Sequence, residues 1–249
     1  MTMASSDRGS MAEGFARYDS RGYRTLDVAA GYATWAPFYD ATMDDHLDLP
    51  LLNLLSSVDW NEIAACVDLG CGTGRIGAWL RAHGAGRVDG VDASSAMLEQ
   101  AAAKRIYDRL VCADAAMTGL VGSDYDLAIS SFAACHITDL AGFYAEAARL
   151  AHSGGKVVLI DYHPFMLLKG VPTHFNAPTD EPVAIANVIH LIGDHVEAGR
   201  RAGLALLELR EQLVDADWVK QLGSKFPADR RLASHVGHPV SFAIVWAHD

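Results

Sequence analysis

Val67-Asp68-Leu69-Gly70-Cys71-Gly72-Thr73-Gly74-Arg75 is an apolar run that meets an acid and then breaks into three glycines at alternate positions. It reads as a strand turning sharply into a helix, because glycine lacks a Cβ, admits the dihedrals of such a turn and lets a ligand lie on the backbone. A dinucleotide-binding loop wants Gly-x-Gly-x-x-Gly, which sets a pyrophosphate on a helix N-terminus. Here the third glycine comes one position early, and Arg75 stands where that pattern wants glycine. A carboxylate at Asp68 would repel a pyrophosphate and suits a ligand carrying an ammonium and a sulfonium. Loops with several glycines also occur as plain tight turns.

Outward from this loop, short apolar runs alternate with amphipathic stretches. The runs are Ala64 to Leu69, Arg87 to Val91, Arg109 to Cys112, Tyr125 to Ser131 and Lys156 to Ile160, with helical periodicity near 75–83, 94–104 and 139–151. Such alternation predicts βαβ units and a parallel sheet covered on both faces. Leu204 to Glu211 and Val240 to Trp246 supply two last strands. Before the sheet, residues 1–22 are small and polar without periodicity and read as a flexible leader. Residues 23–60 turn helical, with Tyr32, Trp35 and Tyr39 near one face. Between strands, residues 162–200 are broken by Pro164, Gly170, Pro172, Pro178 and Pro182 and read as an insertion or lid. The expected fold is one Rossmann-like α/β domain over 23–249, with a doubly wound, seven-stranded, mostly parallel sheet and an antiparallel last strand.

Composition removes several functions. The formal charge of −11 offers no basic stripe for phosphates, which argues against nucleic acid. Cys66, Cys71, Cys112 and Cys135 lie in or beside apolar runs without metal-ligand spacing, so they read as small core residues in a reducing compartment. No apolar run approaches the roughly 20 residues of a membrane span, and the start lacks a signal-peptide core. The expectation is a cytoplasmic protein, monomer or homodimer, without a membrane partner.

Asp68-x-Gly-x-Gly-x-Gly74 resembles motif I of the class I S-adenosylmethionine (SAM) dependent methyltransferases. Tyr125 to Leu140, Glu146-Ala147-Ala148-Arg149-Leu150 and Ser153-Gly154-Gly155-Lys156 are similar to the fourth and fifth strand motifs of the small-molecule members, near the ubiquinone and menaquinone C-methyltransferases and secondary-metabolite enzymes. The resemblance implies SAM as cofactor, S-adenosylhomocysteine (SAH) as product and a small-molecule acceptor. It also implies that Tyr32, Trp35 and Tyr39 cap the cofactor's methionine end, with core packing as the other reading for Trp35. Nucleic-acid amino-methyltransferases carry an Asn- or Asp-Pro-Pro-aromatic turn after the fourth strand, where this chain has Ser130-Ser131-Phe132-Ala133.

Ligands of open α/β sheets bind beyond the carboxyl ends of the strands. The first strand delivers Gly70, Gly72, Gly74 and Arg75. The second delivers Asp92, 22 residues after Gly70, to accept from the ribose hydroxyls, or else to cap the next helix. Ala93 and Met97 follow it toward the cofactor. The third delivers Asp114 and Ala115 to the adenine, with a solvated loop acid as the other reading of Asp114. The fourth delivers Ser131 and His136 alongside the methionine part.

Methyl transfer is an in-line displacement, so positioning carries much of it, and a general base helps where the nucleophile is a neutral hydroxyl, phenol or enol carbon. Histidine suits that role near neutral pH. Among 11 histidines, His195 and His163 stand out as the catalytic candidates, followed by His136. No third ligand at recognisable spacing joins His163 and His195, so no metal is expected. Phe165, Met166, Leu167, Leu168, Val171 and Phe175 read as the roof of an apolar acceptor pocket or as plain core. The expected reaction is methylation of oxygen or carbon on a small, largely apolar metabolite. A cyclase or pericyclase of the same fold, which binds SAM without using its methyl, is the alternative.

Overall fold

The structure, a computed structural model, describes residues 15–225 and 232–248. Its frame is a seven-stranded sheet of β2 (Ala65–Leu69), β3 (Arg87–Asp92), β4 (Arg109–Cys112), β5 (Tyr125–Ser131), β6 (Ala151–Tyr162), β9 (Leu204–Leu213) and β10 (Pro239–His248). The strand order is β4-β3-β2-β5-β6-β10-β9, with β10 antiparallel to both neighbours and the others parallel to one another. The order reverses between β2 and β5, which puts the glycine loop at the switch point where such sheets bind ligands. The expected strands are all present. The fifth is longer than its apolar run, because Ser153-Gly154-Gly155 continues the strand and is absorbed in a register shift opposite Tyr125 and Leu127.

Two apolar layers follow from period-2 alternation along each strand. Val67 and Leu69 share one face with Val157, Leu159, Phe242, Ile244 and Trp246, covered by the helix Leu140–Leu150. Cys66 shares the other with Leu127, Ile129, Val158 and Ile160, covered by the helix Arg75–Ala82 through Ile76 and Leu80. The four cysteines are free, but Cys112 is exposed rather than core, since it ends a strand near the sheet's edge. No helix among the described residues is long and apolar enough to cross a membrane.

A second, three-stranded sheet has no counterpart among the expected elements. β1 (Arg24–Leu26) pairs parallel with β8 (Pro182–Ile185), which pairs antiparallel with β7 (His174–Asn176). The N-terminal segment and the insertion are therefore parts of one roof, and Trp35 of the helix Val28–Trp35 stacks on Phe175 at 5.0 Å. Of the expected leader, residues 1–14 lie outside the described residues; beyond them Phe15 is buried against Leu167 and Ile189. Met166 and Val171 pack with Val214, Trp218 and Val240, so this part of the insertion is core.

Candidate functional site

The loop after β2 is held by its neighbour: the Gly70 and Cys71 N–H groups donate to the Val91 carbonyl at 2.8 and 2.9 Å. Gly70 has φ +75°, and a Cβ there would stand 2.5 Å from the Ala133 Cβ. Gly74 has φ +92° and lies against the Tyr107 ring, which would meet a Cβ at 2.9 Å. Two different requirements thus fix glycine at these positions: a left-handed backbone and close approach.

Asp68 sits beneath the loop. Its Oδ2 accepts from the Tyr107 hydroxyl at 2.6 Å, while its buried Oδ1 has no partner among the described residues. Burial pushes the carboxyl up to about 7 despite the Tyr107 bond. The folded state therefore holds a proton on Asp68 at pH values where the unfolded chain has lost it. Its contribution to stability is complete below the ordinary carboxylate range and is lost as pH rises toward 7. Asp68→Asn keeps an acceptor for Tyr107 and removes the buried charge. It is expected to raise stability at pH 8 by about 1 to 3 kcal/mol and to leave stability at pH 4 nearly unchanged, as denaturant unfolding at both pH values would record.

Asp92 ends β3 beside the loop. Its Oδ2 accepts from Gly72 N–H and its Oδ1 from Ser94 N–H, both at 2.8 Å. The helix Ser95–Lys104 is capped by Ser94, whose Oγ accepts from Met97 N–H, so Asp92 is not its cap. A carboxylate has about four acceptor positions, and two remain for hydroxyl groups. Met97 is buried and its Cε lies 3.5 Å from where a Gly72 Cβ would be. Ala93 is exposed beside it. At the end of β4 Asp114 is exposed and accepts from Ala116 N–H at 2.8 Å, with Ala115 buried behind it.

A narrow cleft runs over the loop, lined by Tyr39, Gly70, Cys71, Gly72, Thr73, Arg75, Ile76 and Ser131. One wall is a network that reading for helices and strands passed over. Arg75 donates to Asp48 from Nη1 (3.1 Å) and Nη2 (2.9 Å), and to Asp45 from Nε (3.0 Å) and Nη2 (2.6 Å). Asp48 also accepts from Ser131 Oγ and from Leu49 N–H. Thr73 Oγ1 donates to Asp40, which pairs with Lys104. The N-terminal segment is thereby tied to the glycine loop and to the end of β5. The only sequence signal for Asp48 is its place before Leu49-Pro50, an N-cap position ahead of a first-turn proline.

The roof brings Tyr32, Trp35 and Tyr39 together, with Trp35 and Tyr39 ring centroids 4.7 Å apart. Trp35 is buried and its Nε1 donates to Thr42 Oγ1. Tyr32 meets His136 with 2.9 Å between its hydroxyl and Nε2. His136 Nδ1 lies 2.7 Å from the Ala186 carbonyl, which fixes the proton on Nδ1 and makes Nε2 the acceptor. Burial lowers this imidazole to about 4, so it is neutral at physiological pH.

His163 and His195 are placed differently. His163 caps the short helix Pro164–Leu168, its Nδ1 accepting from Phe165 N–H, and its Nε2 reaches Glu211 at 2.8 Å. Both ring nitrogens are engaged within the fold. His195 is 1% exposed, with its Nδ1 3.2 Å from the Tyr144 hydroxyl and its ring against Phe242. Burial and the neighbouring His190 push it down to about 3. Among the described residues no group of three or more His, Cys, Asp or Glu is arranged to hold a metal ion. Asp161, buried at the end of β6 beside the Cys135 thiol, is raised to about 7 by burial.

Residues 67–159 match a family described as methyltransferase domain. A malonyl-[acyl-carrier protein] O-methyltransferase from Salmonella typhimurium is 30% identical over 132 residues, covering 52% of this chain and 51% of that protein. The chain thus spans about half the length of the curated relatives it matches. The fold recurs in solved structures. A geranyl diphosphate C-methyltransferase from Streptomyces coelicolor, in complex with Mg2+, geranyl diphosphate and SAH, has a TM-score of 0.62 at 16% identity, covering 97% of this chain and 99% of that one. A [4+2]-cyclase has a TM-score of 0.63 at 15% identity, covering 91% and 98%.

Proposed function

We propose that this chain is a class I SAM-dependent methyltransferase that methylates an oxygen or carbon nucleophile of a small, largely apolar metabolite. SAM supplies an electrophilic methyl on a sulfonium. The observation that carries the assignment of its site is Asp92: a carboxylate joined to the glycine loop through Gly72, with lone pairs left for two ribose hydroxyls. Asp114 and Ala115 take the adenine, with Ala93 and Met97 beside it. Gly70, Gly72, Gly74, Arg75 and Ser131 hold the methionine part, and Tyr32, Trp35 and Tyr39 exclude water above it. Asp92→Ala should weaken SAM binding by about 1 to 3 kcal/mol, as calorimetry on protein shown to be folded would measure; unchanged affinity contradicts the ribose role.

The general base is His136. Its Nε2 accepts the nucleophile's proton directly or through the Tyr32 hydroxyl, while its Nδ1–H stays on Ala186. His163, which caps the helix Pro164–Leu168, and His195, buried against Tyr144 and Phe242, looked stronger in the sequence, but it is His136 that meets Tyr32 of the roof. A reducing, cytoplasmic setting suits four free cysteines.

Incubation with methyl-labelled SAM and a panel of phenols, enols and amines tests the reaction. Labelled product with one SAH per turnover is expected. Product without label or SAH would instead favour a cyclase of this fold, a reading that the [4+2]-cyclase neighbour keeps open.

A further inference from the structure

Arg75 is served unequally on its two edges. Asp48 takes the Nη1–Nη2 edge with two oxygens, Oδ2 on Nη1 and Oδ1 on Nη2, and is itself completely buried and held by Leu49 N–H and Ser131 Oγ. Asp45 takes the Nε–Nη2 edge with a single oxygen, Oδ1, and its side chain is 66% exposed. A guanidinium edge is a two-pronged donor that matches both oxygens of a carboxylate at once. Asp48 satisfies that match; Asp45 does not. The Arg75 side chain is 14% exposed and lines the cleft with the loop's glycines and Ser131.

We propose that Asp45 is an internal stand-in on the Nε–Nη2 edge of Arg75, displaced when the carboxylate of the cofactor's methionine part is seated there. The inference rests on the reading of the cleft as a SAM site. A ligand carboxylate replaces one shared oxygen by two parallel charge-assisted bonds. Asp45 loses little on release, because an exposed carboxylate returns to water, and exposed pairs of this kind contribute little. Asp48 stays in place and keeps the guanidinium oriented. The turn Asp45–Leu47 that carries Asp45 belongs to the N-terminal segment, so seating the amino acid also unfastens one of that segment's ties to the glycine loop.

The test uses the full chain, titrated by calorimetry with SAM, SAH and 5′-methylthioadenosine, which keeps the adenosyl part and lacks the amino acid. Asp45→Ala is expected to tighten SAM and SAH about three- to five-fold and to leave methylthioadenosine unchanged, since a weak competing pair has been removed. Arg75→Gln is expected to weaken SAM and SAH on the order of ten- to a hundred-fold, again without effect on methylthioadenosine. Unchanged or weaker SAM binding in Asp45→Ala overturns the exchange, as does a parallel shift of all three ligands. If Arg75→Gln loses methylthioadenosine as well, it has lost its fold, and Asp45→Ala alone decides. A wild-type chain that binds none of the three refutes the cofactor reading itself; one that binds all three, with Asp45→Ala unchanged, refutes only the role of Asp45.

Discussion

Replacing His136 with glutamine should lower methyl transfer about 10²- to 10⁴-fold, the usual contribution of a positioned general base. SAM affinity should change little by comparison. The reason lies in the tautomer: the Ala186 carbonyl holds the proton on Nδ1, so Nε2 presents its lone pair to the Tyr32 hydroxyl under the roof. Glutamine can hydrogen-bond in that place but has no basic nitrogen. Burial holds His136 near 4, well below the ordinary imidazole range, so the neutral base persists in acid. The acid limb of the wild-type turnover profile should then fall near pH 4 rather than near 6.5. Both His136 and His195 are depressed, and their contribution to stability is present above the ordinary histidine range and is lost as pH falls through it toward their folded values. His136→Gln with undiminished turnover would place the base elsewhere, and Asp161 at the end of β6 would be the next group to test.

Gly70→Ala should destabilise the fold by about 2 to 4 kcal/mol and abolish measurable SAM binding. Its φ of +75° costs a side chain roughly 1 to 2 kcal/mol, and the new methyl would stand 2.5 Å from Ala133 Cβ. Relief requires moving either the glycine loop or the segment after β5, and both line the proposed cofactor site. The loss of binding should therefore exceed what the stability change alone explains, as calorimetry on protein shown to be folded would reveal. Gly84→Ala is the control: its φ is +94° but a Cβ there meets nothing within 4 Å, so it isolates the backbone cost. Equal effects of the two would mean that crowding at Gly70 is unimportant.

The sheet was legible because each strand between Ala65 and Ser131 is a short apolar run closed by an acid, a glycine or a small polar residue, and those closing residues are the ones that gather at the switch point. Asp92 and Gly70 were found this way. Tyr107, Asp48 and Asp45 were not, since nothing local marks a tyrosine that will bond an acid 39 residues before it, or an acid that will reach a guanidinium 27 or 30 residues later. The pairing of β1 with β8 is likewise a contact between segments whose sequences carry no shared sign. Position after a strand end singled out His163, and resemblance to enzymes that bring a helix over the substrate pocket singled out His195. Neither signal says what each ring will meet: His163 meets Phe165 N–H and Glu211, and His195 meets Tyr144 through Nδ1.

On the proposed function, the glycine loop and Asp92 hold SAM rather than a nicotinamide dinucleotide. The third glycine comes one position early for a dinucleotide-binding loop, and Arg75 stands where that loop places glycine. Calorimetric titration of the wild-type chain with SAM and, separately, with NAD tests this most directly. Saturable one-to-one binding of SAM, weakened in Asp92→Ala, is expected, with no binding of NAD. Tight binding of NAD with none of SAM would contradict it.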